Sequence, residues 1–189
     1  ERAAMSYTST ALHRPLHMPA QAMAHGASWG SDDLHPKTLR QLLGSYPTGV
    51  AVVTTRTPEG RAVGLTINSF ASLSLDPPLV LWSLVQHSPN LAVFRDCTHF
   101  AINILGSGHE ELALRFANPR IENKFEDVEV EETCAGIPVL PQALTTLLCE
   151  HDHNRHTGDH LLMIGRVMRT ASRPGDPLVF HGGRFTSLP

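Results

Sequence analysis

The sequence predicts a mainly β fold, an antiparallel β-barrel with short helices at its flanks. Strand-forming residues stand on both sides of the turn Pro58-Glu59-Gly60, where proline fixes φ and glycine accepts a positive φ, so a hairpin is expected there. Further short apolar runs recur along the chain, and the helical patterns between them are brief. No repeat period or second composition divides the sequence. Many strands with short helices between them favour a closed antiparallel barrel.

The N-terminal half of the chain contains two predicted helices and three predicted strands. The first helix is expected to begin near Pro36, to place leucines on one face and to end at Gly44. For the second helix, Ser88 is the expected N-cap and Pro89 the first helical residue. Strands are expected near 49–56, 62–69 and 78–84.

The C-terminal half is predicted to hold four strands and one short helix. The apolar run 100–105 predicts a strand in which Asn103 interrupts the buried positions. Leu112 and Phe116, four residues apart, predict a helix over 109–116, and residues 117–136 form a polar, acidic loop. The last strands are expected near 143–151, 160–170 and 177–181.

Length and charge limit the possible classes of protein. A chain of 189 residues suits one folded domain at 34–189, preceded by a flexible extension over 1–33 that shows no clean period. The formal net charge of −3 argues against general nucleic-acid binding. No apolar run approaches the roughly 20 residues that span a bilayer, and no apolar segment typical of a secretory signal follows the N-terminal charges.

Cysteine usage indicates a reducing compartment. The three cysteines, Cys97, Cys134 and Cys149, are odd in number and lack CxxC spacing, so we expect neither a disulfide framework nor a thiolate metal site. A cytoplasmic location fits, and all three are expected to be small buried side chains.

Small polar residues at predicted strand ends mark a candidate site for a flat ligand. The run from Thr66 through Ile67 and Asn68 to Ser69 can hydrogen-bond the edge of a ring, and Ser83, Leu84 and Val85 end the next strand. Ser88 and Asn90 stand where a helix begins, a position that suits a phosphate. Lys124, beside Phe125, can add a cation. Taken singly, each group also has an ordinary role in a turn, a helix cap or the protein surface.

Three motifs in this order closely resemble the flavin reductase domain family, over about residues 37–187. Residues 66–72 match the T-x-N-S-F-x-S segment that borders the flavin ring in that family. Ser88-Pro89-Asn90 is similar to the family's S-x-T segment on the phosphate side, with asparagine in place of threonine. Lys124-Phe125 matches the basic-aromatic pair that assists there.

Further segments extend the resemblance to the nicotinamide side of the site. Gly158-Asp159-His160 matches the G-D-H motif, which implies that His160 borders the nicotinamide of NAD(P)H and is the residue closest to catalysis. Asp159 can instead cap the turn. His181 to Phe185 resembles the closing segment of the family, so Phe185 is expected to pack on the flavin ring or an adenine, or simply in the core. Thr48, before strand one, is expected near the flavin edge.

The resemblance implies a complete functional hypothesis. It indicates an FMN-binding split β-barrel with Greek-key connections, assembled as a homodimer, that uses NADH or NADPH to reduce FMN or FAD for a partner monooxygenase. No G-x-G-x-x-G is present, so the nicotinamide cofactor would bind against the flavin rather than in a Rossmann site. The sequence does not distinguish FMN from FAD as the flavin, or NADH from NADPH as the donor. Candidate contacts for the 2′-phosphate of NADPH are Arg155, Arg166 and Arg184.

Two alternatives remain at this point. The same barrel can bind flavin, or less plausibly another flat cofactor such as a deazaflavin or haem, without fast nicotinamide turnover. Alternatively, His and Asp at alternating spacing in the histidine-rich run can share a strand face, and a metal-binding module would use the imidazoles of His151, His153 and His156 for zinc or iron. The favoured interpretation of this run is a polar hairpin tip with no metal, because a Gly-Asp turn interrupts it and no HExxH is present.

Overall fold

The computed structural model describes residues 35–188. Two compact units are distinguished: residues 1–39, of which the described part is the start of the first helix, and residues 40–189, which contain every described strand. The helices are α1 (Pro36–Leu43), α2 (Leu91–Asp96) and α3 (Glu110–Ala117). The strands are β1 (Thr48–Gly49), β2 (Ala51–Arg56), β3 (Ala62–Ile67), β4 (Ala71–Leu75), β5 (Pro78–Val85), β6 (His99–Ile104), β7 (Glu131–Glu132), β8 (Pro138–Val139), β9 (Thr145–Thr157), β10 (His160–Ser172), β11 (Val179–His181) and β12 (Arg184–Thr186).

A seven-stranded antiparallel sheet dominates the fold, in the order β3-β2-β6-β9-β10-β5-β4. Its two end strands, β3 and β4, are joined by residues 68–70 alone. Because three residues span at most about 10 Å, the two ends of the sheet lie close together and the sheet curves into an incompletely closed barrel. Smaller sheets are β1-β11-β12 and β7-β8. The predicted barrel class is confirmed.

The barrel interior is filled by alternating residues of its strands. In β5, Val80, Trp82 and Leu84 are buried and the residues between them are not, as the period of two requires. The Trp82 ring makes edge-to-face contacts with Phe94 of α2 and Phe100 of β6, at centroid distances of 5.1 and 5.8 Å. These aromatic contacts fix α2 against the sheet.

Strand β2 is buried on both faces, which explains the apolar run in its first half. Ala51 and Val53 face the barrel interior, whereas Val52 packs in a second core with Ala113 and Phe116 of α3. A strand covered on both faces can leave no polar group unpaired, and the two buried threonines that follow in β2 donate hydrogen bonds to backbone carbonyls. Helix α3 therefore lies on the outside of the barrel, over β2 and β3.

Several local predictions need correction. Strand β4 was not predicted, because it is short and its residues are mostly exposed. Ser88 is not the N-cap of α2: that helix begins at Leu91, Asn90 occupies the cap position without a side-chain capping bond, and the Ser88 hydroxyl accepts the Asn90 N–H at 3.3 Å. Cys134 is exposed, since it lies in the β7–β8 turn region.

Two further strands differ from the prediction. β9 continues through the histidine run to Thr157, and residues 131–132, expected in a loop, form the short strand β7. The three described helices fall close to their predicted positions. No helix within residues 35–188 is long and apolar enough to cross a membrane. The predicted extension over 1–33 lies outside the described residues.

Candidate functional site

A groove of about 540 Å³ opens on the outside of the barrel between three chain segments. The first segment is residues 61–66, which include most of β3. The second lies between residues 84 and 90, at the end of β5 and in the connection after it. The third lies between residues 116 and 125, at the end of α3 and in the loop that follows. The partly exposed side chains of Val85, Ile121 and Phe125 give it an apolar floor, and polar side chains stand at its rim. An apolar slot with a few polar groups is the usual form of a small-molecule site.

Gly64 allows the aromatic wall of the groove to pack directly on β3. A Cβ atom at this position would lie 2.7 Å from the Phe116 ring and 3.2 Å from the Phe125 ring. The two rings meet edge to face, with centroids 5.0 Å apart at 82°. A strand position without a side chain therefore sets how closely α3 and its loop approach the sheet.

The structure places seven of the residues predicted to bind cofactor on this one groove. They come from all three segments and are Thr66, Leu84, Val85, Ser88, Asn90, Lys124 and Phe125. Ser88 and Asn90 stand at the turn before α2, so that hydroxyl, amide and backbone groups gather at one end of the groove. This end suits an oxyanion, whereas the floor suits an aromatic ring.

Two of these side chains already have protein partners. The Thr66 hydroxyl donates to the Ala113 carbonyl at 2.7 Å, which leaves its oxygen free to accept a bond from a ligand. The Lys124 ammonium donates to the Phe116 carbonyl at 2.6 Å. Partial burial lowers the pKa of Lys124. Lys124 therefore caps the end of α3 as well as lining the groove.

The other residues of the predicted ring-edge cluster have different positions. Ile67 is buried in the barrel core and Asn68 is exposed. The Ser69 hydroxyl donates to the Ser83 carbonyl at 3.1 Å and accepts the Ser83 N–H at 3.0 Å, so it fastens the β3–β4 connection to β5. None of Ile67, Asn68, Ser69 and Ser83 is among the groove-lining residues.

The Gly158-Asp159-His160 turn lies directly beside the groove. His160 is the ladder partner of groove-lining Val85, so the two side chains share a face of the sheet. Gly158, at φ 58°, supplies the left-handed residue of the β9–β10 turn. The His160 Nδ1 lies 2.6 Å from the Asp159 carboxylate. This hydrogen bond, more than any other cause, lowers the pKa of Asp159.

Gln86 joins this turn to the groove. Its backbone N–H donates to the Asp159 carbonyl and its side-chain amide donates to the Gly158 carbonyl, each at 2.9 Å. In sequence, Gln86 lies between the groove residues Val85 and Ser88. Its two hydrogen bonds therefore hold the turn predicted for the nicotinamide side next to the residues predicted for the flavin side.

Thr48 and Phe185 lie together in the three-stranded sheet rather than in the groove lining. Phe180 pairs with both of them, and the Phe180 and Phe185 rings are 5.5 Å apart. Phe185 packs at the edge of the second core, as the core-aromatic alternative expects. Within the described residues, the buried Thr48 hydroxyl has no hydrogen-bond partner.

The histidine run makes local links. His151 lies 2.8 Å from the Cys97 carbonyl through Nδ1 and 3.1 Å from the Asn154 amide through Nε2. His153 is bonded to Asp152 at 2.6 Å. In the part of the chain that the structure describes, no three His, Cys, Asp or Glu side chains are grouped to hold a metal ion.

Several groove residues were missed in the sequence. They are Arg61, His87, Pro119, Ile121 and Glu122, with the Phe116 ring on the wall. His87 stands between two predicted residues, so its position was a usable signal. The others face the groove only because the loop after α3 folds back over β3, a contact that no local pattern indicates.

The donor set of the groove fits a flavin. Apolar side chains and the partly exposed Phe125 ring can cover an isoalloxazine, Thr66 can reach a polar edge, and Ser88 and Asn90 can serve a phosphate. Two further cavities, of about 700 and 470 Å³, lie beside α2 and beside β7–β8. Neither contains a residue predicted for cofactor binding.

Comparison with known proteins agrees with this geometry. The family described as "Flavin reductase like domain" matches residues 43–189. The FMN reductase (NADH) SmoA of Agrobacterium fabrum is 45% identical over 149 residues, covering 79% of this chain and 84% of that protein. The reductase subunit HsaB of a flavin-dependent monooxygenase from Rhodococcus jostii is 32% identical over 159 residues, covering 84% of this chain and 80% of that protein.

The chain is also similar in structure to a solved flavin reductase. The NADH:FAD oxidoreductase SgcE6 of Streptomyces globisporus C-1027, in complex with NAD and FAD fragments, superposes with a TM-score of 0.77 at 31% identity. The match covers 84% of this chain and 98% of that chain.

Proposed function

The chain belongs to the flavin reductase like domain family, and on this premise we propose that it is an NAD(P)H:flavin oxidoreductase. It reduces FMN or FAD and supplies the reduced flavin to a partner monooxygenase, as the names of its relatives say of them. NADH is the preferred donor in this proposal, because several relatives are named for it.

One observation carries the proposal: seven of the residues predicted to bind cofactor line one groove, and the turn bearing His160 is fastened to its edge by Gln86. Two reactants held in adjacent positions gain most of what hydride transfer requires, namely proximity and orientation. The bound flavin supplies the redox chemistry by accepting a hydride from the nicotinamide. The protein needs no acid or base at the reacting carbon.

The residues have distinct proposed roles. Val85 and Phe125 cover the flavin ring, and Thr66 accepts a hydrogen bond from its edge. Ser88 and Asn90 bind the phosphate, with Lys124 near it. His160 contacts the nicotinamide carboxamide from the β9–β10 turn, since imidazole can both donate and accept hydrogen bonds. Asp159 fixes the orientation of that ring through their 2.6 Å contact.

Assembly and location complete the proposal. We propose a homodimer that transfers reduced flavin transiently to the monooxygenase. Three free cysteines fit a reducing cytoplasm.

The test is an anaerobic assay with purified protein, FMN or FAD, and NADH or NADPH. The visible absorption band of the oxidised flavin should bleach catalytically, fastest with NADH, because the groove holds flavin beside the nicotinamide-side turn. Free flavin with NADH but no protein is the control. Flavin binding without bleaching would favour a storage or sensor module, and absence of both would overturn the proposal.

A further inference from the structure

We infer that Arg115, a residue outside the groove lining, is a positioning residue for flavin binding. This inference rests on the proposed function and names a determinant of the flavin site that lies behind the groove wall. Arg115 is half-buried in the last turn of α3. Its side chain points to the loop that closes the groove.

The guanidinium of Arg115 holds that loop with two hydrogen bonds. Nε donates to the Lys124 carbonyl at 2.8 Å and Nη2 donates to the Glu126 carbonyl at 2.6 Å. Both accepting groups belong to a turn over residues 124–127. The turn ends at Asp127, whose φ of 56° is unfavourable for a residue with a side chain. Charged, forked donors are well suited to fixing such a segment.

The same turn carries the groove wall. Between the two carbonyls that Arg115 holds lies Phe125, whose ring meets Phe116 and approaches Gly64. The Lys124 ammonium reaches back to the Phe116 carbonyl from the same segment. Arg115 thus sets the position of one aromatic wall and one cation without touching the groove itself. Lysine at this position would keep the charge but lacks the rigid planar fork that presents Nε and Nη2 to the two carbonyls, so it would hold them less firmly.

The test compares FMN binding and kinetics in the wild type and R115K. We expect the Kd for FMN, measured by fluorescence without NADH, to rise about tenfold, the size of one lost charged hydrogen bond. The kcat at saturating FMN and the KM for NADH should change less than about twofold, because hydride transfer is arranged elsewhere. A merely structural role would lower the active fraction and kcat while leaving the Kd unchanged.

R95K is the matched control. Arg95 also makes two hydrogen bonds through Nε and Nη2, to the Asp96 carboxylate at 2.8 and 2.6 Å, but it lies outside the groove. The R95K substitution should leave the affinity for FMN unchanged. Amide hydrogen exchange over residues 122–128 supplies a readout that needs no flavin, and R115K should accelerate it.

The outcomes separate the two hypotheses. If the wild type binds FMN and R115K binds it equally well, or if exchange in the loop is unaltered, the inference is wrong while the proposed function stands. If exchange accelerates but the wild type binds neither FMN nor FAD, Arg115 positions the loop and the flavin assignment of the groove fails.

Discussion

Gln86 shows how one exposed side chain can connect two halves of a site. Its amide binds the carbonyl of Gly158, the left-handed residue of the β9–β10 turn, and so orients the peptide that leads to Asp159 and His160. The backbone hydrogen bonds between β5 and β10 fix the register of His160 opposite Val85, but they do not fix the orientation of the β9–β10 turn relative to the groove. The side-chain bond adds that constraint next to the groove.

Replacing Gln86 should therefore affect the nicotinamide more than the flavin. In Gln86→Glu a carboxylate faces the Gly158 carbonyl and stands near Asp159, so the KM for NADH should rise about three- to tenfold, as one lost hydrogen bond allows. Gln86→Ala, which adds no charge, should give a smaller rise. Steady-state kinetics with each substrate varied measures both effects.

The Kd for FMN should stay within twofold in both Gln86 variants. Gln41→Glu makes the same chemical change on the exposed face of α1 and should alter neither constant. An equal loss of affinity for FMN and NADH would show that Gln86 merely holds the local fold together.

The elements that form the groove meet because one strand position lacks a side chain. At Gly64, β3 lets α3 and its loop approach until the Phe116 and Phe125 rings touch the backbone. Thr66, two residues on, bonds the Ala113 carbonyl of the same helix. The α3–β3 contact is thus both a core contact and the back of the ligand groove.

Gly64→Ala should displace this aromatic wall. The new methyl would lie 2.7 Å from the Phe116 ring, and overpacking of this kind costs about 1–3 kcal/mol of unfolding free energy. The affinity for FMN should also fall, because the added methyl would displace the Phe125 ring that lines the groove. Denaturant unfolding and FMN fluorescence measure the two effects. Gly108→Ala, where an added Cβ meets nothing within 4 Å, should change neither. Full FMN affinity in Gly64→Ala would contradict a rigid wall.

The same elements show what the sequence could predict. Short motifs such as Ser88-Pro89-Asn90 and Lys124-Phe125 are local, so resemblance indicated them, and the structure places them on one groove. The contacts of Gln86, Gly64 and Arg115 could not be predicted. Gln86 and Gly158 are 72 positions apart, and nothing near either residue indicates the other. Strand β4 was missed because it is five residues long and mostly exposed, so its alternation of serine and leucine marks no buried face.

At the scale of the whole molecule, the sheet formed by the described residues ends at β4, which is paired on one side. Helix α3 packs over β3, at one end of the seven-stranded sheet. Within residues 35–188, no further strand pairs with β4 at the other end. β4 also carries Leu73 and Leu75, whose side chains are 46% and 92% exposed. Open edges with apolar side chains favour association, and natural proteins normally protect them.

A second copy of the chain would cover this edge in the proposed homodimer. Sedimentation velocity should give twice the mass of one chain at micromolar concentration. The double variant L73E/L75E should shift the equilibrium towards monomer, because two carboxylates on each copy would be desolvated at the interface. Leu114→Glu, a similar change at an exposed leucine of α3, should leave the dimer intact. A wild-type monomer would refute the assembly, whereas a dimer that tolerates L73E/L75E would place the interface on another surface.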